Sequence, residues 1–373
     1  MAPRPTWAEV DLDALVRNYQ ALADLLDARP RLIPVVKADA YGHGAVAVTR
    51  ALAGAGATAF AVALVEEGLA LRDAGITQEI LVLEGAWPGQ ECEALAGGLT
   101  LALSSPRGVR RLEEAAATRS SEARVHIKID TGMTRLGVRW NDLGPFVEAL
   151  SGAGHLRVTG TFSHLACAEE EDRGFTAEQI SRLRDALDRL RRSRVDPGEI
   201  HMANSGGLLY WDELRAWSAR PGIALYGYPP APHRCPVELK PVLALKSRIG
   251  RIHTIAPGDP VGYNRSFLAG RETRVATVPV GYADGYRRSM SGAARVIVED
   301  HFAAVLGTIS MDLIAVDVTD IPSAGLDGEV ILLGSSPNCR LDAAAWAGLL
   351  GTIPYEILCG ISPRVPRRLR GGP

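Results

Sequence analysis

Over roughly its first 220 residues the chain alternates short apolar runs with amphipathic stretches of helical period, about eight times. The runs lie at 32–36, 59–64, 80–83, 100–103, 124–129, 157–162 and 199–202, with a last short one near 222–225, and they read as buried strands. Helical patterns fill the gaps at 44–53, 65–74, 88–96, 106–117, 143–151, 176–193 and 208–216. An opening helix over 11–28 carries an apolar stripe of Leu12, Leu15, Val16, Tyr19, Leu22 and Leu26, and Asp11 or Asp13 can cap it. Strands that alternate with helices lie parallel to one another. Repeated this often they close on themselves, so the spacing predicts an α/β fold built on an N-terminal (β/α)8 TIM-type barrel. An open dinucleotide-binding sheet would need a GxGxxG turn after the first strand, and none follows 32–36.

The rhythm stops at a proline-rich stretch, 228–233, which reads as a linker. Beyond it come strand-like runs at 242–255, 274–280, 294–299, 304–309, 314–318 and 329–333, broken by Gly and Pro turns and one helix at 341–350. The expectation is two domains: residues 1–230 as the barrel and 231–373 as a C-terminal, mostly-β domain. The first ~10 residues are available to pair with the β domain. With 47% hydrophobic and 23% charged residues, there is ample material for both cores. A net charge of −2 argues against a general nucleic-acid binder, and the arginine clusters at 189–192 and 364–370 read as solvated surface. The N-terminus lacks an apolar signal core and no run is long enough to span a membrane, so a cytoplasmic protein is expected. Five scattered cysteines fit free thiols better than disulfides or a zinc site, and no metal is expected.

Active sites of such barrels lie at the C-terminal ends of the strands. Lys37 ends the first run, directly before a turn cluster, 39–44. Desolvation there would free its amine as a nucleophile or base, although on spacing alone a lysine snorkelling to the surface is the commoner explanation. Tyr41 follows it; Lys128 and Arg135 flank the fifth strand, and His164 follows the sixth. Asn204 and Ser205 follow the seventh, and Arg220 lies near the eighth. Singly, each has a dull explanation, such as a core histidine for His164 or a surface charge for Arg135. Together, a lysine, hydroxyls, glycines and two arginines suit an anionic, phosphorylated carbonyl cofactor, with pyridoxal phosphate the leading candidate. The N–H groups of 205–207 and of Gly222 and Ile223 could cradle its phosphate.

The blocks VKADAYGHG (36–44), KIDTGMTRLG (128–137), FSHL (162–165), ANS (203–205), RPGIALYG (220–227), PVGYADG (279–285), SMD (310–312) and IPYE (353–356) run in order along nearly the whole chain. Jointly they resemble the alanine racemases, bacterial fold-type III pyridoxal-phosphate enzymes. The resemblance implies a barrel, a β domain and a homodimer with shared active sites. It implies that Lys37 forms the Schiff base and acts as one base, with Tyr263 of the partner subunit as the opposite base. Tyr41, Ser205, Gly222, Ile223 and Tyr355 would hold the phosphate, with Asn204 beside them. Arg220 would contact the pyridine nitrogen, and His164 would sit beneath the ring, linked to Arg220. Arg135 and the backbone of Met311 of the partner subunit would fix the substrate carboxylate, while Tyr282 and Asp312 line the entrance. Lys128 matches a lysine often carbamylated in the family.

Racemisation removes an α-proton from one face and returns one to the other, so two bases on opposite sides are the simple solution. An arginine facing the pyridine nitrogen leaves it unprotonated, because arginine does not readily give up a proton. That weakens the electron sink and suppresses side reactions. One departure from the family concerns the tyrosine block. It reads Gly262-Tyr263-Asn264 here, where many members have serine before the tyrosine and glycine after it. The resemblance therefore implies supply of D-alanine for the cell wall, with a racemase of serine, lysine, arginine or broad range as the alternative. A barrel decarboxylase would want an acidic partner for the pyridine nitrogen. A non-catalytic binder would not need a β domain carrying Tyr263.

Overall fold

The computed structural model describes residues 4–372. They divide into two compact units. One is Leu15–Ala40 with Ala45–Lys240; the other is residues 4–14 with Tyr41–Gly44 and Pro241–Gly372.

The first unit is the α/β barrel. Its parallel strands run Ala59–Val62, Glu79–Val82, Thr100–Leu103, Ala123–Asp130, Leu156–Phe162, Glu199–Ala203 and Ser218–Ala219, each bonded to the next. Segment 32–36 closes the ring, with Leu32 bridged to Ala219 and Val35 to Ala61. A continuous strand is expected there, but the structure has isolated bridges. Pro34 has no N–H to donate, so only Ile33, Val35 and Val36 reach across, to Ala219, Pro221 and Ala61. The last strand falls at Ser218–Ala219 rather than near 222–225. Pro221 interrupts the ladder, and the N–H groups of Leu225, Tyr226 and Gly227 bond three residues back as turns.

Strands Ala59–Val62 and Thr100–Leu103 are buried at every residue, because helices cover the outside while the barrel's own side chains fill the inside. Helix Leu12–Ala23 starts where Asp11 Oδ1 accepts the Ala14 N–H at 2.7 Å. Helix Pro106–Thr118 starts where Ser105 Oγ accepts from Gly108 at 3.1 Å, with proline in its first turn. The helix expected at 208–216 begins earlier, as Ser205–Tyr210, because Asn204 Oδ1 caps it through the Gly207 N–H at 2.9 Å. A 3-10 turn, Asp212–Leu214, follows. Three charged residues occupy the N-terminal ends of the strands: Arg31 pairs with Glu79 at 2.7 Å and with Glu199 at 2.6 Å. Among the described residues no helix is long and apolar enough to cross a membrane.

The second unit is a mostly-β fold around a largely antiparallel sheet. Thr6–Asp11 pairs antiparallel with Leu243–Arg248 and parallel with Arg367–Arg370. The run expected as one strand over 242–255 splits into Leu243–Arg248 and Arg251–Ile255, which pair with different neighbours, Glu329–Ser335 and Thr273–Val278. Of the arginine-rich tail read as solvated surface, residues 367–370 form an edge strand, and Arg368 lies 4.4 Å over the Trp7 ring. Charges along such an edge discourage further strand pairing. Helix Ala343–Leu350 lies within the expected 341–350, whereas Pro354–Cys359 is too short for periodicity to reveal.

Phe60 is fully buried in the barrel strand Ala59–Val62. Phe60→Ala should lower stability by about 3–5 kcal/mol. Chemical denaturation should show an earlier midpoint for barrel unfolding; an unchanged midpoint would mean the site collapses without cost.

Candidate active site

A cavity of about 490 Å³ opens in the barrel unit. Its lining carries five cationic side chains, Lys37, Arg111, Lys128, Arg135 and Arg220, against one carboxylate, Glu84. Arg111 is paired with Glu91 at 2.7 Å. The other four cations have no carboxylate partner among the described residues. Such a cavity favours an anionic ligand.

Arg220 is the most constrained of the four, with 3% of its surface exposed. Nη1 donates to His201 Nδ1 at 2.7 Å and to the His201 carbonyl at 2.9 Å. Nη2 donates to the Ser163 carbonyl at 2.6 Å and to His164 Nδ1 at 3.2 Å. These bonds leave Nε without a partner among the described residues, and the residue lines the cavity. Burial pushes its pKa down to about 9, so the cation persists at neutral pH. His164 is held well below the usual imidazole range by burial and then by Arg220, and is neutral. Phe162 supports the group from below: Arg220 lies 5.0 Å and Lys128 5.4 Å from its ring centre.

Lys37 opens a helical turn, Lys37–Gly42, of unusual hand. Ala38, Asp39, Ala40 and Tyr41 all have φ between 52° and 55°, and Gly42 has 79°. Left-handed backbone costs a non-glycine residue roughly 1–2 kcal/mol, so the turn needs outside bonds. Glu67 Oε1 accepts the Ala38 N–H at 2.6 Å, and Asp39 Oδ1 accepts the Ala45 N–H at 2.7 Å. Glu67 is itself fixed by the N–H of Ala63 at 2.8 Å. The turn cluster expected at 39–44 is therefore a clamped device that holds the lysine at the end of its strand segment.

Lys128 lies within the buried run of strand Ala123–Asp130 and donates to the Leu83 carbonyl at 3.1 Å. Burial, then Arg220, Arg135 and Lys37, pushes its pKa down to about 8. Arg135 sits on a loop that doubles back: Asp130 Oδ1 accepts from Gly132 and Thr134, both at 3.0 Å, and Val138–Arg139 pairs with Ile129–Asp130. Gly137 permits this, because a Cβ there would lie 2.6 Å from the Asp130 nitrogen. Ser205 Oγ accepts from the N–H groups of Gly222 at 3.0 Å and Ala224 at 3.2 Å. This links Ser205, the buried Ile223 and the Asn204 cap in one cluster.

The remaining expected site residues lie in the second unit. The rings of Tyr41 and Tyr355 approach to 5.9 Å. Tyr263 is 68% exposed and lines a separate cavity of about 410 Å³. Gly262 (φ 79°), Asn264 (58°) and Arg265 (52°) surround it with left-handed backbone, so an asparagine accepts the conformation that glycine prefers. Met311 is exposed; its carbonyl accepts the Ala283 N–H at 3.1 Å, beside the Tyr282 N–H to Ser310 bond at 3.0 Å. Gly281 allows that stitching, since a Cβ would fall 2.3 Å from the Ser310 oxygen. Asp312 is paired with Arg364 at 2.5 Å.

A family model described as "Alanine racemase, N-terminal domain" matches residues 10–230, and "Alanine racemase, C-terminal domain" matches 242–369. The chain belongs to the alanine racemase family. With it comes the enzyme class, an amino-acid isomerase. It is 42% identical to the alanine racemase of Symbiobacterium thermophilum over 365 residues, 98% of this chain and 97% of that one. The enzyme of Geobacter sulfurreducens is also 42% identical, over 375 residues and the same shares. Among solved structures, the Bacillus anthracis alanine racemase with bound L-Ala-P superposes with a TM-score of 0.94 at 34% identity, covering 100% and 96% of the two chains. The Bartonella henselae enzyme, which has covalently bound pyridoxal phosphate, gives 0.87 at 30%, covering 99% and 100%.

In this racemase, the residues that sequence reasoning missed are His201 and His126, which stand behind Arg220 inside the barrel. Two signals were available: His126 is two positions before Lys128, on the same strand face, and His201 lies in the strand before Asn204.

Lys128 gives a pH prediction. Its folded pKa, about 8, lies below the ordinary 10.5. Between those values the unfolded chain holds the proton that the folded one has lost, so this group makes stability rise with pH from about 8 to 10.5. Below 8 both states are protonated and the contribution is flat. Denaturation across this window should show a smaller rise in Lys128→Met than in the parent. Parallel curves would mean the ammonium is not desolvated.

Proposed function

We propose that this chain interconverts L-alanine and D-alanine using pyridoxal phosphate. In this reading it acts as a cytoplasmic homodimer and supplies D-alanine for cell-wall synthesis. The observation that carries the reading is Arg220, a buried guanidinium lining the same cavity as Lys37, with neither a carboxylate partner nor a partner for Nε among the described residues. A donor set of four unpaired cations suits a phosphorylated aromatic cofactor. Lys37 would anchor it covalently. Tyr41, Ser205, Gly222, Ile223 and Tyr355 would hold the phosphate, with Asn204 fixing the helix start behind Ser205. Arg220 would face the ring nitrogen and His164 the ring.

When bound, the cofactor withdraws electrons from the α-carbon of the amino acid and acidifies its proton. Lys37 Nζ takes or returns that proton on one face, and the hydroxyl of Tyr263 of the partner subunit serves the other. Arg135 and the backbone of Met311 of the partner subunit hold the substrate carboxylate, while Tyr282 and Asp312 line the entrance. Arg220 can only donate, so it gives the ring nitrogen a hydrogen bond without handing over a proton.

Lys37→Ala should lose covalently held cofactor and lower turnover by at least roughly 10²–10⁴-fold. Tyr263→Phe should retain the cofactor but slow exchange of the α-proton in deuterated water from one enantiomer far more than from the other. Full racemisation by Lys37→Ala would overturn the reading; equal losses from both enantiomers would remove Tyr263 from a single face.

Lys128 adds a finer prediction. With its pKa pushed down to about 8, the ammonium can lose a proton to solvent, and the neutral amine then attacks carbon dioxide, forming an N–C bond and releasing a second proton. The resulting carbamate would sit among Arg135 and Arg220 and orient Arg135. Protein equilibrated with 13C-bicarbonate should show a carbamate carbon resonance that Lys128→Arg abolishes; its absence from the parent would exclude the modification.

A further inference from the structure

Behind Arg220, polar side chains run down the barrel axis where such barrels are usually apolar. His201 Nδ1 accepts from Arg220 Nη1 at 2.7 Å. His201 Nε2 lies 2.8 Å from His126 Nδ1. His126 Nε2 faces Glu79 Oε1 at 3.6 Å, too long for a hydrogen bond but close enough for attraction between the N–H dipole and the carboxylate. Glu79 closes the line, held by Arg31 at 2.7 Å and by the Thr100 hydroxyl at 3.2 Å.

The arrangement has only one consistent placement of protons. A guanidinium has no acceptor, so His201 Nδ1 carries no hydrogen. Both imidazoles are buried, with pKa values pushed down, to about 4 for His126, so both are neutral at pH 7. A neutral His201 must then carry its hydrogen on Nε2 and donate it to His126 Nδ1. His126 is left with its hydrogen on Nε2, directed at Glu79. The neighbours are shaped for these rings. Gly160 lies beside His126, where a Cβ would come within 2.7 Å of the ring, and Phe162 stacks on His201 at 4.9 Å and 7°.

We propose that Glu79, His126 and His201 form a one-directional polar chain that orients Arg220 from behind, making His126 and Glu79 positioning residues for the cofactor nitrogen. This rests on the reading of Arg220 given under Proposed function. Reversing His201 would aim its N–H at the Nη1 donor, and reversing His126 would set its N–H against that of His201. The guanidinium is thereby tied, through two imidazoles, to a charge at the opposite end of the barrel.

The test has two arms. Full-length protein with 15N-labelled histidine should show His126 and His201, assigned by single His→Gln variants, both protonated on Nε2 alone at pH 7. A hydrogen on Nδ1 of either ring would overturn the chain whatever the enzyme's activity. In the second arm, cofactor affinity and absorbance are measured. His126→Phe removes the acceptor for His201 and should weaken pyridoxal-phosphate binding about tenfold, with a shifted absorbance. His126→Gln keeps both an acceptor and a donor and should stay within about threefold of the parent. Equal losses in the two variants, or none in either, would overturn the positioning role. A parent protein that binds no pyridoxal phosphate would overturn the proposed function and this role with it, while leaving the nitrogen spectra to decide the proton arrangement.

Discussion

Arg220 carries a positive charge into the barrel interior, where bringing an ion out of water costs several kcal/mol and where an acidic residue would usually answer it. Here the answer is spread over neutral acceptors. Three backbone carbonyls, of His201, Ser163 and, at 3.5 Å, Met202, and two imidazole nitrogens, of His201 and His164, take its donors. Hydrogen bonds to a charged group contribute about 1.5–3 kcal/mol each, so together they can offset the desolvation without cancelling the charge. A carboxylate would have stabilised the ion more simply but would have quenched the field in the cavity.

Much of the barrel unit is arranged around that choice. The strands Leu156–Phe162, Glu199–Ala203 and Ser218–Ala219 supply the carbonyls and rings that hold the guanidinium, and Phe162 lies against both Arg220 and His201. Lys128 is driven toward neutrality by burial and by Arg220 and Arg135. The carboxylates Glu79 and Glu199 are kept at the far end of the strands and matched to Arg31. Cation-rich above and ion-paired below, the barrel axis separates a ligand-seeking end from a self-satisfied one.

A second constraint is backbone strain. The left-handed turn after Lys37 and the left-handed residues flanking Tyr263 lie beside the two side chains proposed to move protons. In the first case the surrounding structure pins the turn through Glu67 and Asp39. Strained backbone held in this way fixes a side chain more tightly than a flexible loop would, which suits a base that must meet one atom.

The sequence admits one class of fold, because alternating strand and helix periods allow few packings, and it shows which residue types gather at the strand ends, because motif spacing is a local property. It also marked Lys37, Lys128, Arg135, His164 and Arg220, all of which line one cavity. Folding in three dimensions sets three further features: Pro34 breaks the first strand into bridges, the eighth strand ends at Ala219, and residues 38–41 wind left-handed. These depend on which backbone donors find partners across the ring. It alone brought His201 and His126, 75 positions apart, into one line behind Arg220. No local pattern encodes that line, because its partners come from different strands and meet only when the barrel closes.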